Sequence, residues 1–319
     1  MRHSQVVQLV KFTICFLTGR ADPRLEWVLE SLSQQSPFTD QISILCVDAL
    51  GRQRPEDLMA TRWPYERAPW ISSIRVVSPK PCAWQGPYRL TDRDWWATAN
   101  ARNTGLALAS HDYLAFLDDR SWLGGEWLAT VREGERRRAS VLAGAYQKHE
   151  GGPMPGDPDR KVSIDHRLGL SPQGKLNCGG GWLYGCTFAM PLEWALEVNG
   201  FEEGCDGLTG EDYIFGLMLG NRGRRIDYAP ALFVQQDRTT GNATCKGSYA
   251  CRDKGTSPHD KSHAALRRFG AVGRTEFTPD LRELRAHLAR NPGQWPIPDP
   301  SYPYRDWYDG ELVRDMKPV

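Results

Sequence analysis

Apolar residues run almost unbroken through KFTICFLTG (11–19), QISILCVDA (41–49), SIRVVS (73–78) and DYLAFL (112–117). Short runs of this kind predict strands buried on both faces, as in the interior of a parallel sheet. Between the first two the period changes to that of a helix. Leu25, Val28, Leu29 and Leu32 define one apolar face, and Asp22 followed by Pro23 reads as an N-cap with proline in the first turn. DRDWWATANARNTGLALAS (92–110) predicts a second helix ahead of the fourth strand. Strands alternating with helices predict an α/β protein, its central sheet mixed but mostly parallel and flanked by helices. Ligands of such sheets bind beyond the carboxyl ends of the strands. Asp48 closes the second strand and Asp118 with Asp119 closes the fourth, so three acids are expected on one sheet edge.

The later pattern is less regular. GGPMPGDPDRK (151–161) has no period and predicts a surface loop, and 147–178 as a whole reads as a lid. GWLYGCTFAM (181–190) predicts a strand, Pro191 opens a helix, and TGEDYIFGLML (209–219) predicts an apolar helix led by Glu211 and Asp212. RIDYAPALFVQQD (225–237) supplies one or two last core strands. Periodicity then dissolves until TPDLRELRAHLAR (278–290), a helix with Thr278 as N-cap and Pro279 at its first position. WPIPDPSYPYRDWYDGELV (295–313), rich in proline and aromatics, predicts an extended strap. The division expected is a main domain at 1–237, split near 122, and a C-terminal extension at 238–319.

Composition adds exclusions. The 319 residues carry 40 basic and 39 acidic side chains, so no global field marks a nucleic-acid or membrane binder. Local basic runs at 132–138, 222–225 and 266–269 read first as solvated faces and second as acceptor-facing patches. The eight cysteines form no C-x-x-C pair; Cys245 and Cys251 are near enough in sequence to pair, though a reduced cytosolic state is the simpler reading. The N-terminus reads as a first strand and not as a signal peptide. No apolar run approaches the ~18 residues that span a bilayer, so the expectation is a cytoplasmic protein without an integral membrane segment.

Adjacent carboxylates at a strand end suit a divalent cation carrying phosphate, because Mg²⁺ and Mn²⁺ take carboxylate oxygens and fill the remaining positions with water and substrate. They equally suit a turn. Glu211 and Asp212 suit capping of a helix start, where the dipole favours negative charge, or a general base acting on a hydroxyl. Taken in order these segments resemble the GT-A glycosyltransferases, especially the inverting family 2 and the β-1,4-galactosyltransferases. FTICFLTGRADPRLEWVLESLSQQS resembles their opening strand and helix, and ISILCVDALG their second strand. ARNTGLALASHDYLAFLDD is similar to the A-R-N-x-G-L helix leading into the D-x-D strand, and VNGFEEGCDGLTGEDYIFGLMLGNRG to the G-G-F-(D/E)-E and G-E-D segments. The resemblance covers roughly residues 11–237.

It implies a Rossmann-like nucleotide-diphospho-sugar transferase fold, with the nucleotide-sugar half at about 1–122 and the acceptor half at about 123–237. The implied activity moves a sugar from a nucleotide-diphospho sugar, of the UDP type by preference, to an acceptor hydroxyl with inversion. The acceptor is a glycan or small molecule, or a hydroxylated base in DNA. Asp212 is the implied base and Glu211 its sugar-holding neighbour. Thr18, Asp48, Arg102, Asn103, Asp118, Asp119, Arg120, Gly181 and Trp182 fall at donor-binding positions. A divalent metal, Mn²⁺ or Mg²⁺, is implied on Asp118 and Asp119, with Asp119 favoured. Two departures stand out: Arg120 occupies the second acidic position of D-x-D, and Gln236 falls where the family has a metal-ligating histidine. His259 and His263 are the substitutes in sequence. The contrasting reading is an inactive nucleotide-sugar or glycan-binding module on the same fold. A nucleotidyltransferase fits less well, since 17–27 offers only Gly19, Arg20 and Arg24 for a phosphate loop.

Overall fold

The computed structural model describes residues 10–20, 22–35, 41–50, 70–82, 97–150, 161–207, 210–237 and 278–296. Four strands, β1 (Lys11–Thr18), β2 (Gln41–Asp48), β3 (Ile71–Val77) and β4 (Tyr113–Asp118), form the parallel half of a nine-stranded sheet in the order β3-β2-β1-β4. The mixed half continues through β8 (Thr187–Pro191), β6 (Val141–His149), β9 (Ile226–Asp237) and β5 (Ser121–Leu123), with β7 (Lys161–Ile164) paired to β6. Strand β8 runs antiparallel to both its neighbours, and β6 and β9 are parallel.

The near-continuous apolar runs of β1, β2 and β4 are explained by cover on both faces, whereas β3, at the end of the strand order, is largely exposed and departs from that expectation. Phe12, Ile14, Phe16, Ile42, Ile44 and Leu117 pack beneath α1 (Leu25–Ser33) and α3 (Trp127–Arg137). Cys15, Leu17, Leu45, Val47 and Phe116 pack on the other side, under α2 (Thr98–Leu108), α5 (Leu192–Glu197), α6 (Glu211–Asn221) and α7 (Leu281–Arg290). The strand period of two sorts odd from even positions between the layers. Phe116 of the sheet meets Phe201 edge-on at 5.8 Å, and Phe201 stacks on Phe215 of α6 at 3.9 Å, tying the sheet to the second layer.

Several local expectations give way to tertiary contacts. Helix α1 starts at Leu25, with Arg24 in the left-handed region at its N-cap, and Asp22 forms an ion pair with Arg24 at 2.8 Å without capping. The Pro23 carbonyl is drawn instead to the Arg120 amide at 2.8 Å. At α7 the cap is Asp280, whose carboxylate accepts from the Arg282 and Glu283 amides at 3.0 Å; Thr278 instead accepts from the Glu203 amide through its hydroxyl at 2.9 Å. The run 181–190 is not one strand: Gly180–Trp182 is a 3-10 turn and the strand begins at Thr187. The segment read as a lid contains β7 and α4 (His166–Leu170). Residues 151–160, the strap beyond 296, and Cys245, Cys251, His259 and His263 lie outside the described residues. Strand β9 is a single strand, its ladder to β6 shifting around Pro230, which has no amide to donate.

Helix α7, expected in the extension, joins the main core through Leu281, Leu284 and Leu288. Asp280→Ala is expected to cost about 1 kcal/mol of stability by removing a two-bond cap, read as a lower urea midpoint at unchanged slope.

Candidate functional site

Strand register assembles the acids. Thr18 pairs with Asp48 across β1 and β2, and Leu17 with Asp118 across β1 and β4, so all three strand ends reach the same sheet edge. Asp48 is buried and accepts from the Leu50 amide at 3.0 Å, closing the turn after β2.

The two aspartates of the doublet have different surroundings. Asp119 turns inward, its side chain 9% exposed, accepting from the Thr18 hydroxyl at 2.8 Å and facing Arg20 Nε at 3.5 Å. Burial pushes its pKa up to about 6; Arg20 and Thr18 oppose the rise and Asp118 adds to it. Asp118 is 37% exposed, with Arg102 Nη2 3.5 Å from one oxygen and the Gln236 amide nitrogen 3.4 Å from the other. Arg120 has a left-handed backbone (φ 54°), and its guanidinium pairs with buried Asp237. The Asp237 amide in turn donates to the Arg120 carbonyl at 3.0 Å, locking the turn after β4 to the end of β9. Among the described residues, no three His, Cys, Asp or Glu side chains gather as a metal cage.

Arg102 joins the two acidic groups. It lies on α2, 2% exposed, over the Phe201 ring at 5.3 Å, and is paired with Glu211 at the start of α6 as well as with Asp118. Burial works to lower its pKa, but Glu211, Asp118 and Asp212 outweigh that and hold it above the ordinary guanidinium value. Burial likewise lifts the Glu211 carboxyl, with Arg102 opposing and Asp212 adding. The Gly185 carbonyl accepts from Arg102 at 3.2 Å, while the Gly185 amide donates to Asp212 at 2.7 Å. A Cβ at position 185 would overlap the Arg102 guanidinium, which explains a glycine there. The second oxygen of Asp212 accepts from the Tyr213 amide at 2.8 Å.

Neighbouring motif residues serve as framework. Asn103 donates to the Phe201 carbonyl and to Glu203, and accepts from the Phe201 amide at 2.8 Å, tying α2 to the G-F-E-E turn. Glu203 also receives Lys80 at 2.6 Å in a buried ion pair. Asp206 caps α2 from a distance, accepting from the Ala99 and Asn100 amides at 2.7 and 3.0 Å. Trp182 is half-buried, edge-on to Tyr228 at 5.4 Å with the Lys175 ammonium 4.6 Å from its ring centre, and Gly181 sits against Tyr213. Sequence reading missed Asp206, Asp237 and Lys80. Only Asp237 carried a usable signal, being an acid at a strand end like Asp48 and Asp118.

No protein-family model matches the sequence, and no curated protein does. Solved structures do. A mannosyltransferase of Pyrobaculum calidifontis, PcManGT, in complex with GDP-Man and Mn²⁺, superposes with a TM-score of 0.53 at 16% identity, covering 89% of this chain and 71% of that one. GalNAc-T7 with UDP, GalNAc and Mn²⁺ superposes at 0.50 with 14% identity, covering 89% of this chain and 55% of the other. The fold is thus that of the GT-A glycosyltransferases, a mixed sheet flanked by helices. The finer likeness to family 2 and the β-1,4-galactosyltransferases is not carried by these two.

Because the folded chain holds the Asp119 proton more tightly than the unfolded chain, the associated stability is fully present below pH 3.8 and is lost as pH rises through about 6. In EDTA, wild type is expected to lose up to roughly 3 kcal/mol relative to Asp119→Asn over that interval, measured by urea unfolding.

Proposed function

We propose that the protein is a glycosyltransferase that moves a sugar from a nucleotide-diphospho sugar to an acceptor hydroxyl. The observation that carries this reading is Arg102, whose guanidinium joins the acid at the end of β4 to the acid at the start of α6. Strand-end chemistry for a donor thereby stands beside helix-start chemistry for an acceptor, on the fold whose solved neighbours bear GDP-Man in one case and UDP with GalNAc in the other.

In this reading Asp48 and Thr18 border the nucleotide, and Asp118 borders the diphosphate. The donor set fits a divalent cation, Mn²⁺ or Mg²⁺: Asp118 offers one open carboxylate, and such ions are commonly held by one or two carboxylates plus substrate phosphates. Its exposure favours Asp118 over Asp119 as the holder, with the Gln236 amide alongside. Bound there, the cation supplies neutralising charge to the departing diphosphate. Asp212, oriented by the Gly185 and Tyr213 amides, takes the proton of the acceptor hydroxyl. The acceptor oxygen bonds to the anomeric carbon as its bond to the diphosphate breaks, and the nucleoside diphosphate leaves with that electron pair. One displacement inverts the anomeric centre. Glu211, held by Arg102, lines the sugar side.

The surroundings favour a glycan or small molecule over DNA as acceptor. Arg136 and Arg137 pair with Glu133, Arg138 with Glu135, Arg224 with Glu197 and Arg225 with Asp227, so these basic residues are largely matched within the chain. Arg138 and Glu135 also border a pocket with Lys11 and Asp112, at the sheet edge opposite Asp118.

Asp212→Asn is expected to abolish transfer from UDP- and GDP-sugars while UDP or GDP affinity, measured by calorimetry, stays within a few-fold. Unchanged turnover removes Asp212 from the mechanism, and retained nucleotide binding without any wild-type turnover points to a binding module. EDTA is expected to stop turnover and Mn²⁺ to restore it, with Asp118→Asn needing a higher Mn²⁺ concentration. Turnover at full rate in EDTA would exclude the metal.

A further inference from the structure

Arg167 is a buried cation that none of the steps above uses. It lies on α4, fully enclosed, and Asp165 grips it along its edge at 2.6 to 3.1 Å. The guanidinium also lies over the rings of Tyr184 and Tyr228, with Cζ 3.9 and 4.7 Å from their centres. Two of its nitrogens donate to main-chain carbonyls of different segments, Gly144 on β6 at 2.7 Å and Trp182 in the connection to β8. The Trp182 carbonyl is three residues from the Gly185 amide that orients Asp212, and Tyr184 lies between them. On the near side of that connection, Gly180 packs so tightly on the Gly216 backbone of α6 that a Cβ would overlap it. The stretch 180–185 is therefore pinned to α6 at one end and presented to Asp212 and Arg102 at the other, with Arg167 fixing its middle.

We infer that Arg167 is a positioning residue for Asp212, acting through the main chain at 182–185. The inference rests on the reading of Asp212 as the base. A buried cation with two carbonyl partners and two aromatic faces sets the depth and tilt of the connection, and the Gly185 amide carries that placement to the carboxylate. Lysine cannot substitute: it has no planar fork to reach both carbonyls while stacking on two rings.

The test uses the full chain with two variants. Arg167→Lys keeps the charge and loses the fork. The paired change Asp165→Asn with Arg167→Met removes both charges while keeping a side-chain oxygen at position 165 to cap α4. Hydrolysis of UDP-glucose and GDP-mannose, with water as acceptor, supplies kcat and KM. Both variants are expected to lose roughly 100-fold in kcat with donor KM little changed. Independently of turnover, hydrogen exchange should show the Gly185 amide deprotected while the interior of α6 stays protected. Full Gly185 protection in both variants, or a kcat equal to that of the wild type, would overturn the inference. A wild type that hydrolyses no donor sinks the glycosyl-transfer reading and leaves hydrogen exchange to decide the positioning link.

Discussion

A guanidinium withdrawn from water must find its counter-charges close at hand, and this requirement on Arg102 organises the cleft. A buried cation without partners costs several kcal/mol, whereas here Glu211, Asp118 and the Gly185 carbonyl surround it. The geometry needed to satisfy it brings the start of α6 to the end of β4. Two acidic groups on separate elements thus belong to one site because a single side chain between them has to be neutralised. The same logic explains Gly185, whose missing side chain is the space the guanidinium occupies.

A second layer of buried charge holds the first in place. Asn103, Glu203, Lys80 and Asp206 form a continuous polar framework between α2 and the turn at 200–206, so α2 is held against its neighbours by directional bonds as well as by packing. Arg120 with Asp237 does the equivalent for the turn after β4, offsetting the strain of a left-handed arginine. Such networks are rigid when every member is paired, which suits groups that must meet a substrate at fixed angles.

Much of this was legible in the sequence. The apolar runs located the four parallel strands, and their terminal acids marked the functional edge, because burial on both faces and strand polarity are local properties of the chain. The pairing of residues far apart was not legible. Arg120 reads as a broken D-x-D motif until Asp237 is seen beside it, 117 residues on. The helix starts at Asp22 and Thr278 were misjudged for the same reason. Both satisfy local cap rules, yet Pro23 is drawn to Arg120 and Thr278 to Glu203. The stretch 181–186 failed as a strand because its glycines serve close approach to α6 and Arg102 and not a sheet ladder.

Helix α2 owes both its ends to distant parts of the chain. Asp206 sits at its first amides, and the guanidinium of Arg285 lies on the carbonyls of Leu106, Ala107 and Ala109 at its close. Eleven residues that include two asparagines, two threonines and a glycine have little tendency to coil alone. The stretch bearing Arg102 therefore takes its helical form only in company with segments more than a hundred positions further along the chain.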